Sequence, residues 1–125
     1  MRSFMDPKEL FDLSHPLFEE LFSKCEYAWD AMPQLLSFLK RRATGKVHIE
    51  IPTGTFLENE EQIFIGKRTR IEPGCFIQGP CYIGEDCEIR HGAYIRSGTL
   101  IGDKCVVGHA TEIKHSILFP EAKAP

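Results

Sequence analysis

Residues Ile65 to Leu118 read IGKRTR, IEPGCF, IQGPCY, IGEDCE, IRHGAY, IRSGTL, IGDKCV, VGHATE and IKHSIL in nine consecutive blocks of six. An aliphatic residue opens every block: Ile65, Ile71, Ile77, Ile83, Ile89, Ile95, Ile101, Val107 and Ile113. Four places later stands a small residue, namely Thr69, Cys75, Cys81, Cys87, Ala93, Thr99, Cys105 and Thr111, with Ile117 the exception. Neither the period of a helix nor the alternation of a hairpin gives a spacing of six. A fixed hexapeptide period is the signature of a parallel β-helix, each block forming one short side of a triangular coil. The aliphatic and the small residue then point inward, the small one near a corner where a larger side chain would not fit. Three sides of six make an eighteen-residue coil, so the nine blocks make three coils. Successive coils stack by parallel strand pairing about 4.8 Å apart.

Upstream, residues 46–64 read as an imperfect first coil. Val47-His48-Ile49-Glu50-Ile51 alternates as a strand, Pro52-Thr53-Gly54 turns it, and Asn59-Glu60-Glu61-Gln62 is a polar interruption before the regular run. Residues 1–45 read as a helical segment. Asp6-Pro7 suits an N-cap with proline in the first turn, leading into Lys8 to Phe11. A second helix follows Ser14, with Leu17, Phe18, Leu21 and Phe22 on one side, and a third stretch runs from Glu26 to Arg42. Pro33 is expected to end or kink that stretch. Lys40-Arg41-Arg42 suits a helix C-terminus, and Thr44-Gly45 breaks it.

Composition narrows the function. With 15 Lys and Arg against 18 Asp and Glu, the net charge is −3. There is no surplus of cations to favour nucleic acid or an anionic membrane. The first residues lack an apolar leader core, and no stretch approaches membrane-spanning length. Five cysteines without a Cys-x-x-Cys pair read as reduced thiols of a cytoplasmic protein. Cys87 and Cys105, one coil apart, stack in the core within disulfide reach, but buried free cysteine also serves as a small hydrophobe, and that reading is favoured here.

The eighteen-residue step also sorts the outward side chains. Gln78, Arg96 and Lys114 fall in one column. Two stacked cations repel one another unless an anion lies between them, and a phosphate would relieve that repulsion through charge-assisted hydrogen bonds. The competing reading is a solvated basic edge with Glu112 paired to Lys114. A second column holds Pro73, His91 and His109, with His115 on the next side. Stacked histidines suggest a divalent metal, which would need a third ligand such as His115 of the partner subunit. The favoured expectation is that no metal is held.

Residues 71–118 resemble the acyltransferase half of the bacterial bifunctional enzymes that make UDP-N-acetylglucosamine. Those enzymes join a glucosamine-1-phosphate acetyltransferase to an N-acetylglucosamine-1-phosphate uridyltransferase. The carriers are Tyr94-Ile95-Arg96-Ser97-Gly98 and Val107-Gly108-His109-Ala110-Thr111-Glu112-Ile113-Lys114. The helical segment, with Tyr27-Ala28-Trp29-Asp30-Ala31, is similar to the lead-in of shorter nucleotidyltransferase-like relatives. The resemblance implies a left-handed winding, an exception to the usual right-handed crossover, and a homotrimer. It implies acetyl transfer from acetyl-CoA to an amino-sugar phosphate or nucleotide sugar, with Arg96 and Lys114 on the sugar phosphate. His109 replaces the family's asparagine, so no role is carried over to it. No Gly-rich nucleotide loop or uridyltransferase domain is present in the sequence. The family's general base sits in a later His-x-x-Tyr-x-Gly-Asp segment. Residues 119–125 are therefore expected to start a loop in a truncated chain, with the base and the coenzyme site beyond it. The alternative from another class is a non-catalytic sugar-nucleotide-binding or assembly module. A metal enzyme like the γ-class carbonic anhydrases ranks third.

Overall fold

A computed structural model describes residues 15–23 and 25–125. The helix expected over Lys8 to Phe11 lies outside the described residues. The chain forms two compact units, one through Phe38 and one from Leu39 onward.

In the first unit, helix α1 (Pro16–Phe22) starts on His15, whose Nδ1 accepts from the Leu17 amide at 3.1 Å. Proline at the first position costs no hydrogen bond there. Leu17, Phe18, Leu21 and Phe22 recur at helical spacing and are all buried. A short 3-10 turn (Ala28–Asp30) follows, tied by Asp30 Oδ2 accepting from the Tyr27 amide at 2.9 Å. It leads directly into helix α2 (Ala31–Arg42). Pro33 does not end this helix, one of the two outcomes expected of it. It lies in the first turn, where the amides have no intrahelical partner to lose. Lys40, Arg41 and Arg42 fill the last turn, and Gly45 at φ +80 supplies the left-handed backbone just beyond it.

From Val47 onward the second unit is a parallel β-solenoid of about four turns. Its strands are β1 (Phe56–Glu58), β2 (Ile63–Ile65), β3 (Arg70–Ile71), β4 (Phe76–Gln78), β5 (Cys81–Ile83), β6 (Glu88–Ile89), β7 (Tyr94–Ile95), β8 (Thr99–Ile101), β9 (Val106–Val107), β10 (Glu112–Ile113), β11 (Ile117–Leu118) and β12 (Lys123–Ala124). Every third strand joins one wall, giving the parallel sheets β1-β4-β7-β10, β2-β5-β8-β11 and β3-β6-β9-β12. All nine block-opening aliphatics are buried, seven of them completely. At roughly 1.5–3 kcal/mol for a fully buried aliphatic side chain, this column is the main source of cohesion.

The step between coils is eighteen residues through the regular part, as in Ile65 with Ile83 and Ile83 with Ile101. It changes at two corners. Phe56 pairs with Phe76 twenty residues on, whereas Ile63 pairs with Cys81 at eighteen. Two extra residues therefore sit in the polar interruption, where Glu60–Gln62 winds as a 3-10 turn entered by Asn59 at φ 57. The alternating strand expected over 47–51 reduces to a single bridge between Val47 and Ile65, although Ile49 and Ile51 still pack on the core. After β10 one residue is missing: Ile113 pairs with Ile95, but Ile117 pairs with Leu100 and Leu118 with Ile101. Ile117 thus leaves the small inward position, which explains its exception to the repeat. Residues 119–125, expected as the start of a loop, instead continue the coil. Lys123–Ala124 pairs with Val106–Val107, and Leu118, Ala122 and Ala124 pack on the core.

One corner carries left-handed residues that are not glycine: Arg68 (φ 61), Asp86 (φ 57), Lys104 (φ 59) and Glu121 (φ 68). Their charges alternate from coil to coil. Arg68 Nε and Nη2 grip Asp86 at 2.8 and 3.1 Å, and this pairing holds the Asp86 carboxyl below its ordinary value. Just before that corner the coils approach closely, at Gly66 and Gly84. A Cβ on Gly66 would lie 2.6 Å from the Gly84 carbonyl carbon and 2.7 Å from its oxygen. Gly66→Ala is expected to cost on the order of 1–3 kcal/mol in urea unfolding, because backbone must shift to admit it. Lys67→Ala, one residue away and exposed, should stay within about 0.5 kcal/mol. Equal midpoints for the two variants would refute the close-approach argument.

Candidate functional site

The outer face of the sheet β1-β4-β7-β10 brings together the residues singled out for anion binding. Because Phe56, Phe76, Tyr94 and Glu112 are in register, they make one column across four coils. Two residues further on runs a second column, with Glu58 and Gln78 paired in register and Arg96 and Lys114 directly following the paired Ile95 and Ile113. The expected stacking of Gln78, Arg96 and Lys114 is therefore present. Glu58 extends it by one coil, which the sequence hid because its step is twenty rather than eighteen.

The first column is largely aromatic. The Phe76 and Tyr94 rings are 5.0 Å apart at 56°, and Phe56 is 65% exposed, so the platform is open at that end. Arg96 lies against it, with Cζ 5.6 Å from the Tyr94 ring centroid in a cation–π contact. Its Nη1 donates to Glu112 Oε1 at 2.9 Å. Glu112 thus pairs with Arg96, not with Lys114 as the competing sequence reading had it. The reason is register: Glu112 stands beside Tyr94, over which the guanidinium folds. Arg96 Nε is buried and has no hydrogen-bond partner. A buried N–H without an acceptor costs about 1–3 kcal/mol, so the guanidinium is not fully satisfied where it lies against Tyr94. Lys114 is exposed in the next coil.

Gln78 connects three coils. Its Nε2 donates to Glu58 Oε1 at 3.2 Å, and its Oε1 accepts from the Ser97 amide at 3.2 Å. The chain immediately after Arg96 is thereby fixed, and Gly98 at φ +81 lets it turn.

The histidine column forms as expected from the eighteen-residue step. The His91 and His109 rings stack at 5.5 Å and 18°. His115 stands at a different corner, with its Nδ1 placed 3.0 Å from where a Cβ on Gly98 would be. Among the described residues no group of three or more His, Cys, Asp or Glu side chains comes together to hold a metal ion. What the sequence did not disclose is that Glu72 anchors this column. Its Oε1 accepts from the His91 amide at 2.9 Å and lies 3.2 Å from His91 Nδ1.

The core cysteines are free thiols. Cys75, Cys87 and Cys105 each donate Sγ–H to a carbonyl of the following coil, of Arg90, Gly102 and Phe119, all at 3.1 Å. Thr69 does the same to Gly84 at 2.6 Å. Burial pushes the Cys81 thiol up to about 12, so it stays protonated and inert at neutral pH.

The Glu72 contacts predict an acid dependence. The hydrogen bonds from His91, the backbone amide first and the ring second, hold the Glu72 carboxyl below its ordinary value. A carboxyl depressed in the folded state adds stability above its unfolded pKa, and this is lost as pH falls through the folded value. Glu72→Ala is therefore expected to melt below the wild type at pH 7. The gap should close as the pH drops below about 4, the ordinary carboxylate range. A gap that persists at pH 2 would show that Glu72 acts by packing alone.

Residues 63–97 and 81–115 match the family model described as bacterial transferase hexapeptide (six repeats). No curated protein and no solved structure matches the chain. No helix among the described residues is long and apolar enough to cross a membrane. Residues 63–115 thus carry bacterial transferase hexapeptide repeats wound as a parallel β-solenoid.

Proposed function

We propose that the chain serves acyl transfer in amino-sugar or nucleotide-sugar metabolism, as a cytoplasmic homotrimer. The acceptor is a sugar phosphate bearing an amine, and the donor is acetyl-CoA. In that reaction the amine nitrogen forms a bond to the thioester carbonyl carbon, the carbon–sulfur bond breaks, coenzyme A leaves as the thiol, and the amine gives up a proton. Arg96 and Lys114 have the role of holding the phosphate so that the amine is presented in a fixed position.

The observation that carries this reading is the arrangement around Arg96. A guanidinium rests on Tyr94, keeps one buried N–H unpartnered, and stands one coil from the exposed Lys114. Its pairing with the exposed Glu112 is worth at most about 1 kcal/mol, so a phosphate can displace it. Charge-assisted hydrogen bonds to the phosphate are worth about 1.5–3 kcal/mol each. The free cysteines fit a reducing compartment.

Titration calorimetry of the full chain with glucosamine-1-phosphate checks the reading. Binding should weaken at least about tenfold in Arg96→Ala and in Lys114→Ala, in line with the loss of one such bond. It should also fall with added salt. Wild-type chain that binds no phosphate ligand, or variants that bind as well as wild type, would overturn it.

A further inference from the structure

The polar column beside the aromatic platform has a direction. From one end to the other it runs Glu58, Gln78, Arg96, Lys114, that is carboxylate, amide, cation, cation. The amide in the middle is not free to turn. A carboxylate only accepts hydrogen bonds, and a backbone N–H only donates. Glu58 Oε1 therefore takes the Gln78 NH2 group, and the Ser97 amide takes its oxygen. Both constraints point the same way: Gln78 Oε1 is turned toward the coil of Arg96, and Nε2 is turned away from it. An amide oxygen has two lone pairs, and Ser97 uses one. The second is an acceptor set one coil, about 4.8 Å, from Arg96, with Lys114 one coil further on.

We infer that Gln78 is a specificity-determining residue, selecting a monophosphate that carries a hydrogen-bond donor about one coil away from its phosphorus. The inference rests on the phosphate role proposed for Arg96 and Lys114. A ligand with its phosphate on those two residues and an amine or hydroxyl toward Gln78 meets an acceptor with a donor. Pyrophosphate or the diphosphate of a nucleotide would bring a second set of anionic oxygens against the same acceptor, with Glu58 behind it. Two acceptors facing one another without a proton between them leave both unsatisfied, and sites built this way discriminate strongly. Glu58 is a positioning residue, because it acts by fixing which way the amide faces.

The test measures affinity of the full chain for glucosamine-1-phosphate, inorganic phosphate and inorganic pyrophosphate. Wild type is expected to prefer glucosamine-1-phosphate over pyrophosphate by at least about tenfold. Gln78→Met keeps the length of the side chain and removes the acceptor. It should bring that ratio close to one, lowering glucosamine-1-phosphate affinity well beyond any change in inorganic phosphate affinity. Three results count against the inference. One is a wild-type ratio near one. Another is an unchanged ratio in Gln78→Met. The third is a parallel loss of inorganic phosphate binding in Gln78→Met, which would mean that Gln78 acts only by holding the Ser97 backbone. Wild type that binds none of the three ligands would remove the phosphate site itself, and the inference with it.

Discussion

The backbone pairing between coils is the constraint on which the rest of this protein depends. Amides of one coil donate to carbonyls of the next, as Gly66 does to Ile83 at 2.8 Å, Gly84 to Ile101 at 2.9 Å and Gly102 to Leu118 at 2.8 Å. Parallel pairing fixes register, and register fixes which side chains lie above one another. The interior then becomes a stack of equivalent positions, each filled by a residue its neighbours above and below can match. The exterior becomes a set of columns in which a charge, a ring or an amide always has another residue of the chain about 4.8 Å away. Core packing and the columns of the outer face are consequences of the same ladder.

The small inward residues illustrate how closely interior chemistry follows that ladder. Size alone would admit alanine at every one of them, yet most are threonine or cysteine. The hydrogen bonds supply a reason. At the corners a carbonyl of the next coil comes within reach of the inward residue, and a carbonyl has two lone pairs to fill. Thr69, Cys75 and Cys87 each reach the carbonyl fifteen residues on, at Gly84, Arg90 and Gly102. Cys105 reaches Phe119, fourteen residues on. The shorter reach is the one-residue deletion after β10 seen from inside the core. These thiols are accordingly structural donors, and burial raises the Cys75 thiol so that it stays protonated and unreactive.

Much of the fold was legible because the hexapeptide period is long, regular and physically specific. The parts that were not legible are corners, where a change in length leaves the strands intact. The two residues added at Asn59 to Gln62 read as polar, but nothing in their identity tells that Glu58 and Gln78 still pair across them. The residue lost after Lys114 made Ile117 look like a repeat violation and hid the return of the pattern at Leu118, Ala122 and Ala124. Pro33 was misread for a related reason. Its effect depends on its distance from the start of α2, and helix starts are set by capping contacts such as Asp30 with the Tyr27 amide.

The candidate site divides along the same line. The stacking of Arg96 on Lys114 follows from counting in steps of eighteen, since both lie inside the regular run. The properties that give the pair a use do not follow from counting. That Glu112 takes Arg96 rather than Lys114 depends on the guanidinium folding back over Tyr94. That Gln78 offers its oxygen and not its nitrogen depends on Glu58, which belongs to the irregular first coil. The irregular coil and the regular run thus contribute different things to one face. The regular run supplies charge at fixed spacing, and the first coil gives that charge a direction. A face with cations alone would accept any anion of suitable size. If Arg96 and Lys114 hold a phosphate as proposed, the orientation of a single amide, imposed from a neighbouring coil, is what distinguishes one phosphate from another.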